Sequence, residues 1–211
     1  PRYSSASPCS ALPLCVSVLF YMCSVPKAPF TDVVAGSWYF DAALYASSHN
    51  LMLGTSPTEF SPNITMTRGM LVTVHYRMNG SPSDSGKTPF TDVRTDEWYS
   101  AAVLWAYQNG IVTGMSDTTF APINNVTREQ MATILFRYTK TAAPDKAKAS
   151  ADLSGFADAG SVNDWAVDAM RWAVGQKLIA GITLEQSVYL QPRGNATRAQ
   201  AATVLTRYYA Q

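Results

Sequence analysis

The chain of 211 residues is 47% hydrophobic but only 15% charged, below the average of about 25%, so it has the length for one large domain or two ordinary ones and the wrong composition for disorder. Sixteen Lys and Arg stand against fifteen Asp and Glu with no long basic run, which excludes nucleic acid as a partner because the phosphate backbone demands a cationic stripe. His49 and His75 and three cysteines without a CxxC pair are too few for a typical zinc cluster, so no metal or other cofactor is expected.

Residues 1–28 read as a leader or signal-like segment. Ala11 to Val25 is apolar, shorter than the roughly 20 residues that span a membrane and suited to the apolar core of an export signal. A fragment of an upstream domain is the alternative, since the chain begins at Pro1 and offers no clean cleavage site. Cys9, Cys15 and Cys23 all lie here, so the body needs no disulfide.

From residue 29 onward the chain repeats itself. Residues 29–79 lie on 89–139 at an offset of 60 without a gap, with 19 of 51 positions identical, among them Phe30/Phe90, Asp32/Asp92, Trp38/Trp98, Gly54/Gly114, Phe60/Phe120, Thr67/Thr127, Arg68/Arg128 and Arg77/Arg137. A third copy over 156–209 carries Phe156, Asp158, Trp165, Gly181, Leu190, Thr197, Arg198 and Arg207, with an insertion around Thr183 to Val188. Polar linkers occupy 80–88 and 140–155.

In the first copy Trp38, Ala42, Tyr45 and Ala46 fall at i, i+4, i+7 and i+8 and predict an amphipathic helix. A second helix starts after the Thr67 cap. Trp98, Ala102, Trp105 and Ala106 repeat the first stripe, opened by Thr95 or Asp96 and closed at Asn109-Gly110. The segment GMSDTTFAP follows as a loop with Gly114 as a tight turn and Phe120 as a buried anchor. Thr127 to Gln130 is a capping box and Val126 with Met131 a hydrophobic staple, opening a helix whose buried face is Met131, Ile134, Leu135 and Tyr138. The third copy repeats the pattern with Trp165, Ala169, Trp172, Ala173 and a second box at Thr197 to Gln200, whereas the first has Met70 in the Gln position. A unit of about 50 residues buries little core alone. The expected fold is therefore all-α, three tandem helix-loop-helix repeats docked with pseudo-threefold symmetry.

The order Phe-x-Asp-Val, Trp, Gly110 to Gly114 around a short apolar run, Phe-x-Pro and Thr-Arg closely resembles the S-layer homology domain, in three tandem copies over nearly the whole chain. The resemblance implies a three-pronged helical bundle, secreted and held in the cell wall or surface layer. It implies binding, in grooves between repeats, of secondary cell wall polysaccharide, a peptidoglycan-associated wall polymer often pyruvylated on N-acetylmannosamine. The arginine of the Thr-Arg-Ala-Glu motif, the family's main ligand contact, corresponds to Arg68, Arg128 and Arg198. The next two positions depart from Ala-Glu as Gly69-Met70, Glu129-Gln130 and Ala199-Gln200, which makes the first groove the weakest candidate. A helical module for protein association or self-assembly in the surface layer is the alternative function, and no catalytic arrangement recurs, so no enzyme activity is expected.

The physics of the same residues leaves several roles open. An arginine in the first turn of a helix opposes the macrodipole at a cost of a few tenths of a kcal/mol, so its threefold recurrence implies a use. Either its fork, beside helix N–H groups, takes a carboxylate, or it pairs with Asp32, Asp92 or Asp158 and ties the repeats. The first reading expects melting to change little when it is removed. Trp38, Trp98 and Trp165 are either core or sugar platforms, with core favoured. Gly54, Gly114 and Gly181 are expected in the left-handed region, and Asp32, Asp92 and Asp158 as caps of their local turns. His75 is expected to be partly buried and hydrogen-bonded.

Overall fold

A computed structural model describes residues 30–210; the signal-like segment and its three cysteines lie outside the described residues. Six α-helices dominate: α1 (Phe40–Ser48), α2 (Arg68–Met78), α3 (Ser100–Gln108), α4 (Arg128–Ala142), α5 (Val167–Gly175) and α6 (Arg198–Tyr209). The insertion in the third copy folds as an antiparallel ribbon of β1 (Ile182–Leu184) and β2 (Ser187–Tyr189), so the all-α expectation is corrected at this one element. The third copy is three residues longer between Gly181 and Leu190 than the second is between Gly114 and Phe120, and Ile182-Thr183-Leu184 alternates apolar and polar side chains as a strand does.

The second helix of each copy starts where its cap requires. Thr67, Thr127 and Thr197 accept from the N–H three residues on, and Gln130 and Gln200 complete capping boxes. Val126 and Met131 are both buried as the staple requires, as are Ile134, Leu135 and Tyr138. The first helices begin later than their stripes suggest. Tyr39 and Tyr99 stand at the N-cap without a side-chain cap bond, and neither Thr95 nor Asp96 opens α3. A turn held by Ser37 N to Val34 O and Phe40 N to Ser37 O sets the entry instead, with Glu97 N to Arg94 O and Ser100 N to Glu97 O doing the same in the second copy.

Every second helix packs on the first helix of another copy: α2 on α3, α4 on α5, and α6 back on α1. A closed cycle of backbone bonds links the copies at the entry to these helices: Met66 N donates to Ala196 O, Ala196 N to Val126 O, and Val126 N to Met66 O, at 2.8–2.9 Å. All three residues are buried. The core is continuous through this ring, with Tyr138 against Trp105 and Tyr208, and Trp172 against Phe136 and Tyr208.

His75 corrects the expectation of a satisfied, partly exposed imidazole. It is 0% exposed, stacks on Tyr138 at 5.2 Å, and neither ring nitrogen meets a hydrogen-bond partner. Its counterparts Leu135 and Leu205 occupy equally buried positions, so the polar ring fills an apolar slot. Burial holds its pKa down from 6.5 to about 4, because the charged form cannot be solvated there. The unfolded chain takes up a proton below pH 6.5 that the folded chain refuses until about pH 4. Stability contributed by the neutral ring is therefore intact above pH 6.5 and falls by on the order of 3 kcal/mol as pH drops to 4. The expected outcome is that His75→Leu raises the melting temperature at pH 7 and flattens the decline between pH 6.5 and 4; chemical denaturation at both pH values checks it.

Candidate functional site

Three grooves of about 440, 370 and 370 Å³ lie on the body, within the usual range of small-ligand sites. Each is assembled from all three copies. The groove of repeat 2 takes Gly114, Gln130, Thr133 and Arg137 from its own copy, Trp165 from the third and Arg68 from the first. The groove of repeat 3 takes Gly181, Gln200, Thr203 and Arg207, with Trp38 and Arg128. The groove of repeat 1 takes Gly54, Met70, Thr73 and Arg77, with Trp98 and Arg198. The sequence-predicted arginines, tryptophans and glycines thus converge in triplets, although the members of each triplet come from different repeats.

Helix geometry dictates this exchange. The motif arginine and the second arginine are nine residues apart on one helix, about two and a half turns, so they leave on opposite sides. Met70, Thr73 and Arg77 are spaced i, i+3, i+7 on one side of α2, and Arg68 is on the other. One helix therefore serves two grooves. The departure Gly69-Met70 accordingly bears on two places: Met70 lines the groove of repeat 1, while Arg68 beside it serves the groove of repeat 2. Gly69 is accommodated against Tyr99 and the Pro122 carbonyl, where a Cβ would have 3.4 and 3.0 Å. At the same place Glu129 is buried and accepts from the backbone N–H and side-chain amide of Asn163, fixing the turn that carries Trp165.

The motif arginines are only 5–6% exposed. Nε of Arg68 donates to Phe120 O at 2.9 Å, Nε of Arg128 to Leu190 O at 2.7 Å and Nε of Arg198 to Phe60 O at 2.8 Å. Arg68 and Arg198 also lie 4.7 Å over the Phe120 and Phe60 rings, a cation–π contact. Burial depresses all three guanidinium pKa values, opposed by Asp92, Asp158 and Asp32 respectively; for Arg68, with Arg137 as a further like charge, the result is about 10. They remain cations at neutral pH.

Both alternatives for these arginines need correction in detail. None forms an ion pair with an aspartate; among the described residues the ion pairs are Arg94–Asp96 and Lys148–Asp145, both exposed. They tie the repeats through a carbonyl instead. Nor do helix N–H groups stand ready for an anion. The first N–H groups of α2 donate to Asn124 O and Pro122 O, those of α4 to Gly194 O and Pro192 O, and those of α6 to Ile64 O and Pro62 O.

Asp32, Asp92 and Asp158 accept backbone N–H bonds as expected, but far along the chain rather than in a local turn. Asp92 takes Phe120 N at 2.9 Å and Ala121 N at 2.7 Å; Asp32 takes Phe60 and Ser61, and Asp158 takes Leu190 and Gln191. Of these, Ala121, Ser61 and Gln191 have φ of 59°, 55° and 49° without being glycine, a costly conformation that the carboxylate holds. Aspartate on one side and arginine on the other clamp the same peptide, so the acid acts behind the groove wall and does not line it.

The tryptophans correct the reading as core. Trp38, Trp98 and Trp165 are 66%, 58% and 53% exposed. Each precedes its helix, so the stripe that buries Ala42, Ala102 and Ala169 does not apply to it. Gly114 and Gly181 have φ of 81°, whereas Gly54 lies outside the left-handed region. What the three share is a close approach: a Cβ would meet Phe30, Phe90 or Phe156 at 2.5–2.8 Å.

Arg77, Arg137 and Arg207 escaped selection as site residues although they recur at one spacing from the motif arginine. Their recurrence was the available signal; an arginine late in a helix also suits the macrodipole and so needs no second explanation. Arg137 bonds Thr113 Oγ1 and Arg207 the Leu178 carbonyl, which steadies them on the groove rim. Each groove thus holds two arginines and one exposed indole, and no carboxylate lines any of them. Among the described residues no acid, histidine or cysteine cluster could hold a metal, and no helix is long and apolar enough to cross a membrane.

Three composite grooves, each with two arginines and one exposed indole, are thus built where the helical repeats meet. The S-layer homology domain matches residues 29–69, 89–132 and 155–202, and the chain belongs to that family as three tandem copies. It is a cell-surface anchoring module, associated with the cell wall or surface layer. The chain is 33% identical over 178 residues to an endoglucanase of Bacillus sp. (strain KSM-635), covering 84% of this chain and 18% of that protein. It is 32% identical over 154 residues to the surface-layer 125 kDa protein of Lysinibacillus sphaericus, covering 73% and 12%, and 28% identical over 176 residues to an amylopullulanase of Thermoanaerobacterium thermosulfurigenes, covering 83% and 9%. The chain spans less than a fifth of the length of these relatives.

Proposed function

We propose that the module, a three-pronged bundle with pseudo-threefold symmetry, attaches a larger surface protein non-covalently to the bacterial wall by binding an anionic secondary cell wall polysaccharide in its grooves. The observation that carries this reading is the pairing of two arginines with one exposed tryptophan and no acid in every groove. One buried and one more exposed arginine with no carboxylate lining the groove favour an anionic ligand, and the planar fork of arginine matches a carboxylate such as a pyruvyl ketal presents. An indole face beside it suits the apolar face of a pyranose ring. Cargo is expected from the relatives, in which the matching segment is a small part of enzymes and surface-layer proteins; the module itself supplies attachment rather than catalysis. Three grooves engaging one polymer raise retention far above the affinity of one.

Sedimentation with purified walls, before and after the wall polysaccharide is stripped from the peptidoglycan, tests the proposal. Retention on intact walls and loss on stripped walls is the expected result. Equal retention on both would replace it with direct peptidoglycan or protein association.

A further inference from the structure

We propose that Glu129 and Asn163 are positioning residues for the groove of repeat 2: from behind the groove wall, the pair holds the Trp165 indole ready for the sugar, a task that a neighbouring tyrosine performs for the other two tryptophans. The inference rests on the reading of the grooves as saccharide sites. Trp38 has Tyr39 edge-on at 5.3 Å, and Trp98 has Tyr99 edge-on at 5.1 Å. After Trp165 the chain has Ala166 instead, which is fully buried and offers no ring to brace the indole. The opposing helices differ in the complementary sense. Small residues follow the motif arginine on α2 and α6, Gly69 and Ala199, and Tyr99 lies 3.4 Å from where a Cβ of Gly69 would stand. On α4 that position is Glu129, so a long side chain is gained on one side of the contact where a tyrosine is lost on the other.

Glu129 is 2% exposed and commits both carboxylate oxygens to one residue of the third copy. Its Oε1 accepts from Asn163 Nδ2 at 2.6 Å and its Oε2 from Asn163 N at 3.1 Å. Asn163 Oδ1 in turn accepts from Arg193 Nη2 at 3.3 Å, so the amide has an acceptor at its NH2 and a donor at its oxygen, and a single orientation satisfies both. Asn163 is the N-cap of the short 3-10 turn Asp164–Ala166, and Ala166 N donates to its carbonyl at 2.8 Å. An asparagine in such a place ordinarily bonds the turn with its side chain. This one makes no such bond, because its amide is spent on Glu129 and Arg193. Trp165 lies at the centre of the turn, exposed in the groove that also holds Arg68 and Arg137. Burying a carboxylate costs free energy; what this one secures is a fixed platform for the indole. A side chain ordered in advance spares the ligand the cost of ordering it, about threefold to tenfold in affinity.

Each groove has its own reporter: Trp98 for repeat 1, Trp165 for repeat 2 and Trp38 for repeat 3. The ¹⁵N-labelled full chain is titrated with pyruvylated N-acetylmannosamine and followed at the indole N–H signals, after the ¹H–¹⁵N Overhauser ratio of each indole has been measured without sugar. Glu129→Gln sets one NH2 against a donor of Asn163. It should raise half-saturation at Trp165 about threefold to tenfold, lower the Overhauser ratio of that indole alone, and leave Trp38 and Trp98 as in the parent. Asn163→Ala, a change at a half-buried position that keeps the carboxylate and removes the amide, should act in the same way. Asn163→Asp added to Glu129→Gln should restore both readings, since the amide at 129 then donates to the carboxylate at 163 and still accepts from the backbone N–H. A merely structural pair would instead disturb all three indoles together or leave all three unmoved. Either of those patterns, a parent-like half-saturation at Trp165 in both single variants, or no rescue by the exchanged pair would overturn the inference and leave the saccharide reading intact. No indole movement in the parent at any sugar concentration would remove both.

Discussion

Replacing Arg68, Arg128 and Arg198 together by alanine is expected to unfold the body, not merely to empty its grooves. Each side chain bridges two repeats, and its loss leaves a carbonyl of the Phe-x-Pro or Leu-x-Pro turn without its donor and an aspartate without its nearest cation. An orphaned partner in a buried site costs about 1–3 kcal/mol, so three amount to roughly 3–9 kcal/mol against a typical total of 5–15 kcal/mol. Relief of the macrodipole conflict returns only a few tenths of a kcal/mol per helix. Relief of desolvation works in the same direction but does not restore the donors that the buried carbonyls lose. Lysine is expected to rescue little, since it lacks both the Nε–H and the planar face that stacks on Phe60 and Phe120. Urea denaturation of the single and triple variants at pH 7 checks the ordering: singles weakened by similar amounts, the triple without a cooperative transition. A triple variant that melts like the parent would show that the bonds to Phe60, Phe120 and Leu190 contribute nothing.

That outcome reverses what the arginines suggest in sequence. At a helix start, a cation reads as a sacrifice of stability, because the sequence displays the helix but not the neighbouring repeat into which the side chain reaches. Repetition at a fixed offset made the helices, their caps and the buried stripe of α4 legible, since caps and stripes are local and periodic. The tryptophans misled for the same reason that the stripe succeeded elsewhere. Trp38, Trp98 and Trp165 fall at the right spacing from Ala42, Ala102 and Ala169 but sit in a turn that precedes the helix, where a period of 3.6 has no meaning. Asp92 was legible as a backbone acceptor but not as one that reaches residues 120 and 121, because loop closure across the length of a repeat leaves no local pattern. Which copy donates to which groove was hidden until the helices could be rotated; nine residues between Arg128 and Arg137 then place them on opposite sides.

The second arginine of each groove offers the cleanest separation of binding from folding. Arg77, Arg137 and Arg207 approach their grooves from the C-terminal halves of α2, α4 and α6, and Arg137 and Arg207 donate to Thr113 Oγ1 and the Leu178 carbonyl at the rim, not across the core. Truncation there removes one of two cations from every groove. A charge-assisted contact is worth about 1.5–3 kcal/mol, or roughly tenfold to over a hundredfold per groove, and the loss multiplies when several grooves hold one polymer. Wall retention and melting temperature of the Arg77→Ala, Arg137→Ala, Arg207→Ala triple variant, measured side by side with the parent chain, test the central claim most directly. Retention falling below detection while the melting temperature stays within a few degrees is the predicted result; undiminished retention by a folded triple variant would contradict it.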